Sequence, residues 1–237
     1  SVKLLNHFEI KKPLVSYHAH NHVSAGQAIL ERLLGGESCA LVTDAGTPAI
    51  SDPGEELVRL CAQHDVEVLS IPGCCAAVNA LAVSGLPTGR FTFEGFLTVN
   101  RKSRREHLES LKAEERTMIF HEAPHKLRTT LADLRDAFGP DRQIALCREL
   151  TKLHEQTRRC TLAEAVDYYA ENEPKGEFVL VVAGAEKQEE TTLSLEEAVD
   201  LVLERKAQGM RLKDAVRDVA ADTGLSKNEL YAAALER

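Results

Sequence analysis

The sequence has no tryptophan, and aromatic residues make up only 5% of it. No apolar run approaches the roughly 18 to 20 residues a membrane helix requires. The N-terminus lacks the basic and apolar segments of a secretory signal. These absences leave a cytoplasmic protein, with no membrane partner, as the expectation. Cationic excess is missing as well. Against 29 Lys and Arg stand 37 Asp and Glu, a net charge of −8. Bulk electrostatic attraction to nucleic acid is therefore excluded, and any contact with RNA needs a local basic patch or a shaped site.

Paired cysteines are absent too. Cys39, Cys61, Cys74, Cys75, Cys147 and Cys160 contain no CxxC spacing, so no zinc site is expected. Cys39, Cys61 and Cys147 fall in apolar surroundings and read as buried free thiols. Cys74 and Cys75 follow Gly73 at a predicted helix start, where a thiol pKa can fall, although small-residue packing is the preferred explanation. His18, His20 and His22 alternate without an acidic or thiol neighbour and read as a polar loop rim, so no metal is expected. There is no GxGxxG, no fixed-period repeat and no low-complexity segment.

What remains is a 237-residue chain, 43% hydrophobic, with room for two domains and a small third. One stretch organises it. Ala40–Val42 reads as a buried strand, Thr43–Ser51 as a loop of small residues, and Asp52-Pro53-Gly54-Glu55 as a helix start with Asp52 as N-cap. Strand, small-residue loop and helix N-terminus is how α/β folds bring backbone close to a ligand, and also how they make an ordinary turn. Pro13–Tyr17 and Val66–Ile71 read as further strands, the latter buried. A helix capped by Ser24 runs to Leu34. Pro72-Gly73 leads into a helix of small side chains that permit close approach to a sheet or ligand.

Ser84–Gly89 reads as a linker, and a second α/β unit follows. Its strands are predicted at Phe91–Phe96, Thr117–Phe120, Gln143–Cys147 and Gln156–Cys160, and Lys175–Gly184 reads as a turn feeding a long β-branched strand. Arg101, Lys102, Arg104 and Arg105 form a compact basic stretch at a helix start. Cations there oppose the helix dipole, which leaves an anion-facing role open beside a merely solvated one. Arg148-Glu149-Leu150-Thr151-Lys152 places four polar groups just past a buried strand, as a site rim or a surface ion-pair cluster. Gln188–Thr192 is a polar linker. Three short helices close the chain, the first boxed by Ser194 and Glu197, with Lys213, Arg217, Lys227 and Arg237 giving them moderate basic character.

Several strings then resemble one family. They are Asp44-Ala45-Gly46-Thr47-Pro48 with Ser51-Asp52-Pro53-Gly54, Pro72–Ala77, Phe93–Leu97, His121–Lys126, Arg148–Lys152, Gly176-Glu177 and Leu212–Tyr231. The chain resembles the tetrapyrrole methylases, and within them the bacterial ribosomal RNA small subunit 2′-O-methyltransferases I. The resemblance implies a two-domain α/β fold with an interdomain cleft: an N-terminal domain over 1–86, a second over 87–186, and a helical domain resembling a helix-turn-helix over 193–237. The family begins with a strand and a loop that have no counterpart here, so the first strand unit is expected to be missing.

The resemblance also implies S-adenosylmethionine as donor and the ribose 2′-hydroxyl of a 16S ribosomal RNA cytidine as acceptor, with the small subunit as partner and a homodimer as assembly. Asp44, Ala45, Gly46, Thr47, Pro48, Ser51, Asp52, Pro72, Gly73, Gly176 and Glu177 would bind the donor. Glu149, Glu122 and Lys152, and after them His121, are candidates for removing the hydroxyl proton. Arg101, Lys102, Arg104, Arg105 and Arg148 would hold RNA phosphates. A same-fold methylase of a tetrapyrrole or a modified protein side chain, and a non-catalytic ribosome-binding fragment, stand as alternatives.

Overall fold

A computed structural model describes residues 1–18, 20–44, 46–186 and 193–236. Ala45, the 188–192 linker and Arg237 lie outside them. The chain forms two compact units, Ser1–Ala185 and Glu186–Arg237. The α/β parts expected at 1–86 and 87–186 thus share one unit.

The core of the first unit is a five-stranded sheet of β1 (Phe91–Phe96), β2 (Thr117–Glu122), β3 (Gln143–Arg148), β4 (Gln156–Thr161) and β5 (Phe178–Val182). Their order is β1-β2-β5-β3-β4, with β1 and β2 parallel and every other pair antiparallel. The run Phe178-Val179-Leu180-Val181-Val182 sits centrally and is buried on both faces, as a continuous apolar run requires. Its alternation sorts the two layers. Phe178, Leu180 and Val182 face a cluster with Met118, Phe120, Leu127, Leu131 and Leu162. These come from β2 and from helices α6 (Pro124–Phe138) and α7 (Leu162–Glu171). Val179 and Val181 face Ala77, Ala80 and Leu81 of α4 (Ala76–Ser84). The small side chains of α4 therefore serve close helix-on-sheet packing.

Ahead of α4 lie α1 (Val2–His7), α2 (His22–Leu34) and α3 (Glu55–Gln63). Ile29, Leu57 and Cys61 join α2 to α3. A Cβ on Gly26 would lie 3.3 Å from the Leu60 side chain, so the glycine lets these helices approach. Here the structure corrects three expectations. Residues 13–17, 40–42 and 66–71 are not strands, and Val42, Val68, Leu69 and Ile71 are exposed. An apolar run states a preference, but a strand exists only where a neighbour completes its ladder, and no such partner occurs among the described residues. The cap of α2 is Asn21 rather than Ser24. The cap of α3 is Gly54 rather than Asp52, at φ 145°. A side chain at Gly54 would meet Leu41 Cδ2 at 2.6 Å, so only glycine fits between the loop and that apolar segment.

The second unit packs α8 (Leu195–Ala207), α9 (Leu212–Thr223) and α10 (Lys227–Glu236) around Val199, Val202, Val216, Val219 and Leu230. The Ser194/Glu197 capping box closes as expected, and Gly224 ends α9 in the left-handed region at φ 70°.

Candidate active site

β2 and β3 both run antiparallel to β5, so their C-terminal ends and the start of β5 meet at one end of the sheet. Glu122 and Arg148 are both paired with Phe178 there. Chain reversals at strand ends leave backbone and polar side chains without ladder partners, and α/β proteins place ligands at such ends. A cavity of about 450 Å³ opens at this end. One wall is the 46–52 loop with the first turn of α4. The floor is Phe96, His121, Glu122 and Cys147. The far wall is the Glu149–Lys152 turn with Glu177, Phe178 and Val179.

Nine of the sequence-predicted residues are brought together: Gly46, Thr47, Ser51, Asp52, His121, Glu122, Glu149, Lys152 and Glu177 all line the cavity. Thr47 Oγ1 donates to the Cys74 carbonyl at 3.0 Å, tying the loop to the 72–75 segment. Ala49 and Ser51 hold positive φ of 66° and 56°, so the loop carries backbone strain of the kind that clusters at ligand sites. Asp44, Pro48, Pro72, Gly73 and Gly176 are not part of the lining. Asp44 is exposed and accepts from the Ser1 hydroxyl at 2.9 Å. Ala45 lies outside the described residues.

The far wall is a clamp. Lys152 Nζ donates to Glu149 Oε1 at 2.9 Å and to Glu177 Oε2 at 2.8 Å. Glu149 Oε1 also accepts from the Glu177 amide at 2.9 Å, and the Glu149 amide donates back to the Glu177 carbonyl at 3.0 Å. The Lys152 ammonium, and then the Glu177 amide, hold the Glu149 carboxyl below its usual range. Glu177 and Glu149 in turn raise the Lys152 pKa. This geometry argues against Glu149 and Lys152 as proton acceptors. A carboxylate so stabilised is a weak base, and an ammonium between two carboxylates keeps its proton. Glu149 and Lys152 shape the wall and set its charge.

Glu122 is similarly committed. It is buried, accepts from the Thr130 hydroxyl and takes its neighbouring Ala123 amide at 2.8 Å. Thr130 receives Arg104 Nη2 at 2.8 Å, and Arg104 Nε pairs with Asp133 Oδ2 at 2.6 Å. That removes Arg104 from the surface: it is buried on α5 (Arg101–Ser110), so its predicted contact with phosphate is corrected. Arg101, Lys102 and Arg105 on the same helix are exposed. Asn100 caps their helix, its side chain accepting the Lys102 and Ser103 amides at 3.1 Å each. Arg148 is half-buried, its Nε donating to the Lys175 carbonyl at 2.6 Å and fastening the turn that carries Gly176 and Glu177.

The sequence reading passed over Phe96, Leu150 and Cys147 on the apolar lining, and gave His121 only a secondary place. The signal was the shared end of three strands, which appears only once strand order is known. His121 packs edge-on to Phe93 and Phe96, with ring centroids at 5.2 and 5.4 Å. Burial lowers its pKa below 6.5, against the opposing pull of Asp52 and Glu177.

The family described as Tetrapyrrole (Corrin/Porphyrin) Methylases matches residues 2–166, and the RsmI C-terminal HTH domain matches 194–237. A protein of Synechocystis named ribosomal RNA small subunit methyltransferase I is 47% identical over 99% of this chain and 84% of its own length. One of the same name from Halalkalibacterium halodurans is 47% identical over 97% of this chain and 80% of its own. Among solved structures, a diphthine synthase superposes with TM-score 0.56 at 14% identity, over 77% of this chain and 74% of that one, a likeness of fold.

Proposed function

Because this chain belongs to the ribosomal RNA small subunit methyltransferase I family of the tetrapyrrole methylases, we propose that it methylates the ribose 2′-hydroxyl of a cytidine in 16S ribosomal RNA. The methyl donor is S-adenosylmethionine. The small ribosomal subunit as the form of the substrate, a homodimer as the working assembly, and a cytoplasmic location belong to the same reading.

The observation that carries it is the cavity, because its residues fit such a donor. Its volume of about 450 Å³ lies within the usual range for small-molecule sites. Asp52, Glu122, Glu149 and Glu177 outnumber Lys152 around it, a balance suited to a sulfonium cation. Phe96, Leu150 and Val179 supply apolar surface. The first turn of α4 has no side-chain cap, so its amides remain available to a carboxylate. When bound, the donor supplies an activated methyl group. The protein's task is then alignment, with the 46–52 loop, the α4 amides and the Glu149–Lys152–Glu177 clamp fixing one reactant against the other.

RNA would approach over α5, which starts just past Phe96. In a chain of net charge −8, exposed Arg101, Lys102 and Arg105 provide the local cationic surface. A macrocycle or a single side chain needs no such patch, which favours RNA over the alternative substrates of this fold.

The test offers isotopically labelled donor with either small ribosomal subunits or uroporphyrinogen, after calorimetry has established donor binding. Label in the RNA alone is expected. Label in the macrocycle, or donor binding without transfer to RNA, would overturn the reading.

A further inference from the structure

The three groups first expected to take the hydroxyl proton are otherwise engaged, and the ring of His121 is not. Glu149 and Lys152 are paired with each other, and Glu122 is held by Thr130 and the Ala123 amide. His121 lines the same cavity, yet its shielded Nε2 has no hydrogen-bond partner among the described residues. Leaving such a nitrogen unpaired carries a desolvation cost that functional sites tolerate and core packing rarely does.

The surroundings suit a base. Phe93 and Phe96 hold the ring edge-on from β1, where Phe96 is directly paired with His121. These apolar neighbours disfavour a charged ring at rest. The charged groups that act on it are Asp52 from the 46–52 loop and Glu177 from the start of β5, both favouring imidazolium. Lys152 beyond them bridges Glu149 and Glu177, so these three groups together keep one negative charge. The ring is thus neutral near pH 7, while two carboxylates stand ready to stabilise it once protonated.

We propose that His121 is the catalytic proton acceptor of methyl transfer, a role that rests on the methyltransferase reading above. The ribose 2′-oxygen forms its bond to the methyl carbon as the carbon–sulfur bond breaks, and that bond's electron pair stays on sulfur. The hydroxyl proton passes to the unprotonated nitrogen of the His121 ring, giving an imidazolium that later releases it to water. Contact between ring and hydroxyl is made in the filled cavity, since catalytic hydrogen bonds often tighten only in the complex.

The experiment compares wild type with His121→Phe and His121→Asn on small ribosomal subunits under single-turnover conditions, from pH 5 to 9. Donor affinity is measured by calorimetry on the same samples. Wild type must methylate the subunits; if it does not, the underlying reading fails, whatever the variants do. Given that activity, the variants should lose about 10²–10⁴-fold in rate, a typical general-base contribution, while binding donor as wild type does. Wild-type rate should rise with pH below 6.5 and then level, and the variants should lack this limb.

Histidine NMR on the protein without ligands supplies a separate readout. The resonance missing from His121→Asn should titrate below 6.5 in wild type. A variant that keeps the rate and the acid limb overturns the proposal, and so does a His121 resonance titrating at or above 6.5. Should neither variant bind donor, the wild-type limb and titration decide. A limb that does not match the His121 titration overturns the proposal.

Discussion

Glu149 lies across the face of Gly176: a Cβ placed on Gly176 would sit 2.5 Å from Glu149 Cδ and 2.7 Å from Oε1. Gly176 also holds φ +81°, where other L-residues are strained. One glycine therefore lets the Lys152 clamp close over the start of β5. Gly176→Ala should push Glu149 aside, break its bond to the Glu177 amide and weaken donor binding by about tenfold, comparable to losing one hydrogen bond to a charged group. Calorimetry with S-adenosylmethionine checks this. Unchanged affinity in a folded variant would remove the clamp from the binding site.

The arginines of α5 should separate by orientation. Arg104 bridges Thr130 and Asp133 in the interior, so Arg104→Ala should cost about 2 kcal/mol of stability, the scale of a hydrogen bond to a charged group. Thermal unfolding measures it. Arg101→Ala with Arg105→Ala should leave the melting temperature in place. It should instead reduce the salt dependence of RNA binding by about 1.4 in log–log slope, for two lost phosphate contacts on single-stranded RNA. Equal effects of both changes on stability would contradict the assignment.

Acid stability should carry the signature of Glu114. Arg116, through its guanidinium and its amide, holds the Glu114 carboxyl at about 2. The folded value lies below the usual 4.5. The contribution is therefore complete above about pH 4.5 and is lost as pH falls toward 2. The 114–116 turn also receives the Ala185 amide at the end of β5, on the Glu114 carbonyl at 2.6 Å. Glu114→Gln should flatten stability across that window in a pH series of denaturant unfolding. Arg116 is substantially exposed, so the difference should be small and should shrink further in high salt. A slope unaffected by the substitution would assign the acid limb to other carboxylates.

Much of this was legible from residue patterns, and the limits have physical causes. Thr117–Phe120, Gln143–Cys147 and Phe178–Val182 were foreseen because each is an apolar or β-branched run whose neighbours complete it, with Phe178–Val182 the plainest case, whereas β4 (Gln156–Thr161) is mostly polar. Residues 13–17, 40–42 and 66–71 carry similar runs and form no ladder, since pairing is a property of two segments and a run records only one. The Gly46–Asp52 loop was found through its string, but Asp44 and Pro48 could not be told from Thr47 and Asp52 without knowing which way the loop turns. Arg104 looked like its neighbours because no helix periodicity marks a buried arginine; Asp133, its partner, lies on another helix. His121 was ranked behind Glu149 because the sequence shows which groups can titrate. It does not show which are already paired.

The most direct measurement is nucleoside mass spectrometry of 16S RNA from small ribosomal subunits that lack the modification, incubated with this protein and S-adenosylmethionine. The account expects one new methylated nucleoside, a cytidine with the methyl group on its ribose, and none when donor is omitted. A methyl group on a base, or RNA left unmodified by protein that binds the donor, would contradict it.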